Sequence, residues 1–343
     1  MAAAVGDIAG SAYEGRTHRT KDYNAVKMFS SRAHFTDDTV LTFACAEAFL
    51  KNKNMADNLW MCANQHPHAG YGHRFKQWIK DHDHEPYGSM GNGSAMRCSS
   101  AGWLARTEEE CIDLATQTAA PTHNHPEGIN GAVATALAIF YLKNGKDKEF
   151  VRQHVLDQYC PFWSGKTYDD IHDSYSFFSN SPGTVGPAIL CLIASTDYID
   201  CLRLAISLSG DSDTLATIAG PMAYALYREM PAPLVYQALK SLPDWMQRVN
   251  AAFDKRCEEL WTVELRFIAT DTSRLSWFIL KKTYPYCEPL RTCFVSIIFV
   301  LLHQRFKHQH CMLLQQSKSW MKKITNYFKK DIRYECFFNG TYL

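Results

Sequence analysis

Apolar residues recur at three- and four-residue spacings along six stretches of the chain, which is the pattern of helices that bury one face. Alanine, the residue with the highest helix propensity, is frequent among them. The predicted helices cover residues 38–50, 108–120, 128–142, 185–194, 200–208 and 214–230. Alternating strand-like runs are scarce. The pattern therefore predicts an all-α body with helices packed around an apolar centre.

Turn-forming residues and histidines collect between the apolar stretches. The predicted connections are GDIAGSAYEGR (6–16), HPHAGYGH (66–73), DHDHEPYGSMGNGSAMR (81–97), PTHNHPEG (121–128) and LSGDSDT (208–214). Because binding and catalytic residues are common on loops that a rigid scaffold positions, we look for the chemistry in these segments.

Two predicted helices begin with closely spaced aspartates and a threonine. In FTDDT the threonine is the predicted N-cap of the helix, and in SGDSDT the aspartates again stand at a helix start. One such start merely complements the helix dipole, but two starts of this kind resemble the halves of one oxygen-rich site. The residues concerned are Thr36, Asp37, Asp38, Asp211, Asp213 and Thr214.

Carboxylates and hydroxyls are hard ligands, which suit Mg²⁺ or Mn²⁺ better than zinc. Two such ions, about 3.5 to 4 Å apart, would offset the repulsion between the aspartates and activate a water or polarise a substrate oxygen. The sequence thus predicts a binuclear metal site.

Composition divides the chain near Trp261. The formal charge of +1 combines −7 for residues 1–260 with +8 for residues 261–343, where cysteines, aromatic residues and lysines accumulate. We therefore predict a catalytic body over 1–260 and a basic C-terminal extension over 261–343 of unknown role, a lineage-specific segment or a product of altered reading or splicing. Its apolar run, residues 293–303, is shorter than the roughly 20 residues that span a bilayer. Neither a membrane nor a nucleic acid is an expected partner.

The twelve cysteines form no C-x-x-C pair, which favours reduced, mostly buried thiols. The first residues, MAAAVGDIAG, carry no secretory or transit pattern, so the expected location is cytoplasmic.

Five motifs occur in a familiar order: GDIAGSAYE, FTDDT, GNGSAMR, PTHNHPEG and SGDSDT. Over about residues 4–260 the chain resembles the ADP-ribosylglycohydrolase family, which includes the dinitrogenase-reductase-activating glycohydrolases. The resemblance implies an orthogonal all-α bundle, a central cleft with two Mg²⁺ or Mn²⁺ ions held by the six residues named above, and a monomer. The implied activity is hydrolysis of the glycosidic bond between ADP-ribose and an acceptor.

The resemblance also implies roles for individual side chains. Glu14 would lie beside the scissile anomeric bond and orient or deprotonate water, with Asp37 and Asp38 as its catalytic companions. Met90 stands where many relatives carry an aromatic residue, so adenosine stacking is not expected from it. The glycines of GNGSAMR would allow close approach of a phosphate or ribose to main-chain N–H groups. The predicted substrate-binding residues are Gly88, Ser89, Met90, Gly91, Asn92, Gly93 and His123.

Other candidates have plainer interpretations. Asp7 is expected to cap a helix or to orient the metal ligands, and His125 to be structural. The alternating charges of residues 81–85 indicate a solvated loop rather than a transition-metal site. Cys98 has no identifiable base partner and is not expected to be a nucleophile.

Two further functions stay open from the residues alone. One is a non-catalytic ADP-ribose binder or structural protein of the same fold, and the other is a binuclear-metal phosphoesterase, for which four aspartates would serve equally well. The acceptor, whether arginine, serine or another group, is left undetermined.

Overall fold

Helices account for the regular secondary structure of residues 1–15, 17–82 and 84–260, which the computed structural model describes; within these residues there is no strand beyond a single bridge between Gly91 and Asn180. The helices are α1 (Ala2–Ser11), α2 (Asp37–Lys51), α3 (Met55–Gln65), α4 (His73–Asp81), α5 (Gly93–Arg97), α6 (Ser99–Leu104), α7 (Glu108–Ala119), α8 (Pro126–Lys143), α9 (Lys148–Val151), α10 (Asp157–Tyr159), α11 (Tyr168–His172), α12 (Ser181–Ala194), α13 (Tyr198–Ser207), α14 (Ser212–Tyr227) and α15 (Ala232–Ser241), followed by a helix over residues 244–260. A π-helical segment, Arg152–Leu156, joins α9 to α10. The all-α prediction is confirmed.

All six predicted helices are present, with ends shifted by a few residues, because their signals are local. Thr36 is the N-cap of α2 as predicted, since its side chain accepts a hydrogen bond of 3.2 Å from the Asp38 N–H. Asp211 occupies the N-cap position of α14, which places Asp213 in the first turn.

The prediction that residues 6–16 form a connection is wrong at its start, because α1 continues to Ser11. The glycines there serve helix packing rather than a turn. A Cβ on Gly6 would lie 2.2 Å from the Ala216 carbonyl oxygen, and one on Gly10 would lie 2.4 Å from the Ser212 carbonyl oxygen. Residue numbers rise along α1 as they fall along α14, so the two helices run antiparallel with their backbones in contact.

Helix α14 lies at the centre of the bundle. It packs against α1, α2, α8, α12 and α13, and its apolar residues Leu215, Ile218 and Met222 are fully buried. The close contact with α1 sets Asp7 against the first turn of α14, while the contact with α2 brings in the FTDDT segment. The fold therefore assembles the two aspartate motifs at one end of the central helix.

Seven of the eight cysteines in the described residues are buried, and none of these eight forms a disulfide, in agreement with the prediction of reduced thiols. In this part of the chain no helix combines the length and apolar character needed to cross a bilayer. The C-terminal extension, residues 261–343, lies outside the described residues, so the domain boundary stays a prediction.

Candidate active site

Acidic side chains from α1 and the turn after it, from α2, and from the start of α14 meet in two groups that share Asp213. In the first group, carboxylate oxygens of Asp7, Asp38 and Asp213 lie within 4.8 Å of one another, and in the second the same holds for Glu14, Asp211 and Asp213. The three aspartates of the first group are buried, whereas Glu14 is exposed. The two motifs that the sequence paired are thus in contact, although they lie almost two hundred residues apart.

Asp7 is held by the first turn of α2. Its Oδ2 accepts hydrogen bonds from the backbone N–H groups of Thr36 (2.8 Å) and Thr39 (3.1 Å), and its Oδ1 accepts one from the Thr36 hydroxyl (2.8 Å). The Thr39 hydroxyl donates a further hydrogen bond to Oδ2. Asp7 therefore fixes the start of α2, which carries Asp38. Of the two roles expected for Asp7, these contacts show that of a cap at the start of α2, and the orienting of metal ligands stays a prediction.

Thr39 completes this arrangement and was missed in the sequence. Its signal is the second threonine of TDDT, which returns to the same side of the helix three residues after Thr36.

Asp38 and Asp213 each keep one oxygen that is sealed from water without a hydrogen-bond donor. The Oδ1 atoms of both residues have no hydrogen-bond partner within the described residues. The Oδ2 of Asp38 receives only long hydrogen bonds of 3.4 Å from the hydroxyls of Thr36 and Thr214. Because a buried carboxylate oxygen without a donor is costly, these oxygens fit a hard divalent cation, and the donor set agrees with that ion.

Asn92 positions Asp211. Its side-chain amide donates hydrogen bonds to Oδ2 of Asp211 (2.8 Å) and to the Thr184 hydroxyl (3.2 Å). Predicted as a substrate-binding residue, Asn92 thus also orients one of the acidic groups. No local sequence signal indicates this contact, since the two residues are 119 positions apart.

Burial raises the pKa of every carboxyl in the cluster, and repulsion by neighbouring carboxylates adds to it for some of them. Burial raises the pKa of Asp38 and Asp213 well above the usual range, and neighbouring aspartates add to the effect. For Glu14, burial of its inner part is again the largest cause of a raised pKa, followed by Asp211 and Asp7. These carboxyls and that of Asp37, six acidic groups in all, therefore hold protons more tightly than isolated carboxyls do.

Asp37 lies beside the two carboxylate groups, and their charges act on it as well. Burial, followed by the charge of Asp7, raises the pKa of Asp37 to about 8. Its N–H donates a 2.7 Å hydrogen bond to the Ala69 carbonyl oxygen. Gly70, at φ +109°, leaves room for the Asp37 carboxylate, because a Cβ there would lie 3.2 Å from its Oδ1. Of the predicted metal ligands, Asp38, Asp211 and Asp213 belong to the tight groups, whereas Asp37 does not.

The segment from Gly88 to Gly93 lies beside the cluster, but much of its backbone is already bonded. The N–H of Ser89 donates to the Thr122 carbonyl, that of Gly91 to the Ser89 hydroxyl, and that of Asn92 to the Ser179 carbonyl, each at 3.1 Å. These three N–H groups are therefore not free to bind a phosphate, so fewer main-chain N–H groups are available for a phosphate or ribose than the sequence predicted. Met90 is 42% exposed and can reach a ligand.

His123 lies against this segment. Its ring is buried, and Cβ atoms added to Gly91 and Gly93 would each lie 3.4 Å from its Nε2. Burial, and then the charges of Arg97 and Arg74, lower the pKa of His123 well below its usual range. The ring is thus a neutral group at the wall of the acidic cleft.

Two plainer interpretations are borne out by the contacts. His125 is the N-cap of α8, because its side chain accepts from the Glu127 N–H. Cys98 is buried, and burial raises the pKa of its thiol, as expected for an inert cysteine. His84 Nδ1 lies 2.8 Å from Asp57 Oδ1, and the interpretation of residues 81–85 as a solvated loop stays a prediction.

The fold and the site define an all-helical protein with a buried acidic cluster at its centre, and comparison with known proteins identifies the family. The sequence profile of the ADP-ribosylglycohydrolase family matches residues 1–264. The chain belongs to the ADP-ribosylglycohydrolase family.

Individual relatives are distant. The chain is 24% identical over 336 residues to ADP-ribosylhydrolase ARH3 of Xenopus tropicalis, covering 75% of this chain and 95% of that protein. It is 25% identical over 181 residues to ADP-ribosylarginine hydrolase Tri1 of Pseudomonas putida, covering 50% of this chain and 46% of that one. A solved structure titled ADP-ribosylglycohydrolase-related protein complex shares the fold, with a TM-score of 0.56, 21% identity, and coverage of 75% of this chain and 95% of that one.

Proposed function

We propose that this protein is a divalent-cation-dependent hydrolase that cleaves the glycosidic bond between ADP-ribose and a protein side chain or a related conjugate. The observation that supports it most is the pair of carboxylate groups joined through Asp213, with two oxygens that have no hydrogen-bond donor among the residues that the structure describes. A cytoplasmic location and a monomeric state accompany this proposal as expectations.

Mg²⁺ or Mn²⁺ in the two groups would neutralise the carboxylates and polarise oxygen atoms of substrate and water. Asp38 and Asp213 supply the sealed oxygens that such an ion needs, and Thr36 and Thr214 place hydroxyl oxygens next to Asp38. Asp7 and Asn92 hold α2 and Asp211 in position, as partners behind ligating carboxylates commonly do.

Glu14 is the most exposed member of the cluster, so it lies where substrate and water would arrive. In the reaction, a water oxygen bonds to the anomeric carbon of the ribose while the bond from that carbon to the acceptor breaks. The water gives up a proton, and the acceptor leaves with one. The Glu14 carboxylate is a suitable proton acceptor, because its raised pKa brings it closer to the pH at which general bases are most effective.

The neutral His123 ring and the exposed Met90 side chain would contact the nucleotide part of the substrate. The acceptor is a separate question, since one relative is named an ADP-ribosylarginine hydrolase and others carry the general name ADP-ribosylhydrolase. We therefore propose ADP-ribosylated serine and arginine as the two acceptors to compare.

The test is a substrate panel of ADP-ribosylated arginine, ADP-ribosylated serine and a generic phosphodiester, each with Mg²⁺, with Mn²⁺ and with EDTA. Release of free ADP-ribose that requires the metal supports the proposal. Turnover of the phosphodiester alone would identify a phosphoesterase, and tight ADP-ribose binding without turnover would identify a non-catalytic binder. Asp213→Asn should remove activity, whereas Asp169→Asn, an exposed aspartate outside the cluster, serves as the matched control.

A further inference from the structure

Arg97 is an arginine with 0% exposure whose hydrogen bonds go to neutral oxygens. Its Nε and Nη2 donate to the Thr118 carbonyl oxygen at 2.9 and 2.7 Å, and Nη2 also donates to the Thr122 hydroxyl oxygen at 2.7 Å. In the described residues, none of its close partners is a carboxylate. Because removing a cation from water without a counter-charge is costly, the contacts of Arg97 call for a role beyond packing.

The hydroxyl of Thr122 connects this guanidinium to His123. Thr122 Oγ1 lies 2.7 Å from His123 Nδ1. A guanidinium only donates hydrogen bonds, so Thr122 Oγ1 is the acceptor towards Arg97. The Thr122 oxygen has a second acceptor position, and the Tyr87 hydroxyl, which is hydrogen-bonded to the Thr122 side chain, is placed to fill it. With both acceptor positions filled, the Thr122 proton is left to point to Nδ1. Nδ1 is therefore an acceptor, and in a neutral ring the hydrogen resides on Nε2.

The other groups near the ring agree with a neutral imidazole. The charged groups that act on His123 are Arg97 and Arg74, both cations that oppose ring protonation. The neighbouring titratable group is Tyr87, whose ring centroid lies 6.4 Å away and whose pKa burial raises, so that its hydroxyl stays protonated. Gly91 and Gly93 lie against the ring and Gly128 lies near the His123 Cβ, and none of them carries charge.

The Nε2 edge of the ring faces the segment that borders the acidic cleft. It lies against Gly91 and Gly93, on either side of the Asn92 that holds Asp211. Nε2 has no hydrogen-bond partner in the described part of the chain. A fixed N–H donor at this position suits an oxygen acceptor on a ligand, such as a ribose hydroxyl or a phosphate oxygen.

We propose that Arg97, acting through Thr122, is a positioning residue that fixes His123 as the neutral Nε2–H tautomer, so that His123 donates a hydrogen bond to an oxygen of the bound ADP-ribose unit. The second part of this inference rests on the function proposed above, whereas the tautomer can be measured without substrate. The arrangement gives the cleft a donor whose charge does not change around neutral pH.

The test uses the full chain labelled with ¹⁵N-histidine, and long-range ¹H–¹⁵N spectra that distinguish the two tautomers and the imidazolium. The His123 signals are assigned by their loss in His123→Gln. We expect the Nε2–H tautomer in the ligand-free protein, unchanged down to about pH 6, where an ordinary histidine is largely protonated. A ring that is protonated at that pH, or one with its hydrogen on Nδ1, would overturn the inference. This measurement needs no variant of Arg97, whose complete burial makes its replacement a risk to folding.

Thr122→Val keeps the shape of the side chain and removes the hydroxyl, while Thr122→Ser keeps the hydroxyl and is the matched control. We expect the valine variant to lose the single tautomer and to bind ADP-ribose on the order of 2- to 10-fold more weakly, with KM raised and kcat little changed. The serine variant should behave as the wild type. If the Thr122→Val variant and the wild type show the same His123 tautomer, the proposed role of Thr122 between Arg97 and His123 is refuted.

If no substrate is hydrolysed while the tautomer is as expected, the proposed function fails, but the positioning of His123 by Arg97 and Thr122 stands. Comparison of ADP-ribose with ADP separates a ribose contact from a phosphate contact.

Discussion

Replacing Asp213 by asparagine should stabilise the protein in the absence of metal while abolishing its response to metal. Asp213 is the residue common to both carboxylate groups, and its Oδ1 has no donor in the described residues. Two ionised carboxylates whose oxygens lie within 4.8 Å of each other repel by at least about 3 kcal/mol at an effective dielectric constant of 20. Protonation of the cluster relieves most of this repulsion, so we expect a net gain of about 1 to 3 kcal/mol in the free energy of unfolding.

The stabilisation by Asp213→Asn should increase as the pH rises. A pKa above its unfolded value means that the folded protein holds protons that the unfolded chain releases. The stability of the metal-free protein therefore falls as pH rises from about 4, the unfolded value, through the folded value, which is about 8 for Asp37. Asp213→Asn should accordingly stabilise more at pH 8 than at pH 5.

The assay is thermal unfolding in EDTA and in Mn²⁺ at both pH values, with Asp169→Asn as the control. For a domain of this size, 1 to 3 kcal/mol corresponds to a rise of roughly 3 to 10 °C in Tm. Mn²⁺ should raise the Tm of the wild type and of the control but not that of Asp213→Asn. The proposed repulsion and metal binding in the cluster would be refuted if Asp213→Asn had a lower Tm than the wild type in EDTA and if Mn²⁺ left the Tm of the wild type unchanged.

Three further outcomes are expected. Gly10→Ala should lower the free energy of unfolding by a few kcal/mol and weaken Mn²⁺ binding, because the added Cβ would lie 2.4 Å from the Ser212 carbonyl oxygen. The control is Gly72→Ala, whose Cβ would have no neighbour within 4 Å and which should leave the Tm nearly unchanged. Asn92→Ala should reduce Mn²⁺ affinity about 10- to 100-fold in calorimetry by releasing Asp211, with the exposed Asn64→Ala as control; equal affinities would contradict this role. A chain that ends at residue 260 should fold and bind Mn²⁺ like the full chain, and its insolubility would show the extension to be integral.

The parts of the fold that were predictable are those specified by neighbouring residues. Helices α2 and α14 could be located because their caps, acidic first turns and apolar spacings all lie within a few residues. The pairing of their aspartates was also predictable, since two helix starts that each combine closely spaced aspartates with a threonine resemble the halves of one oxygen-rich site. Both inferences depend on chemistry that is visible in short segments.

The parts that were missed depend on long-range contacts. Gly6 and Gly10 appeared as turn residues, although they are needed for the backbone contact with α14, a helix that begins two hundred residues later. The amide of Asn92 could not be paired with Asp211, nor Arg97 with Thr122, because no periodicity connects such residues. Sequence patterns give the elements, whereas tertiary packing decides which polar side chains meet.

The most direct test of the account is a crystal structure of the protein in Mn²⁺, with anomalous scattering measured to locate the metal. We predict two peaks, one within contact of Asp38 and Asp213 and the other within contact of Asp211 and Asp213, with Asp213 common to both. Peaks elsewhere, or carboxylates that remain close together without an ion between them, would contradict the central claim that these side chains form one cation site.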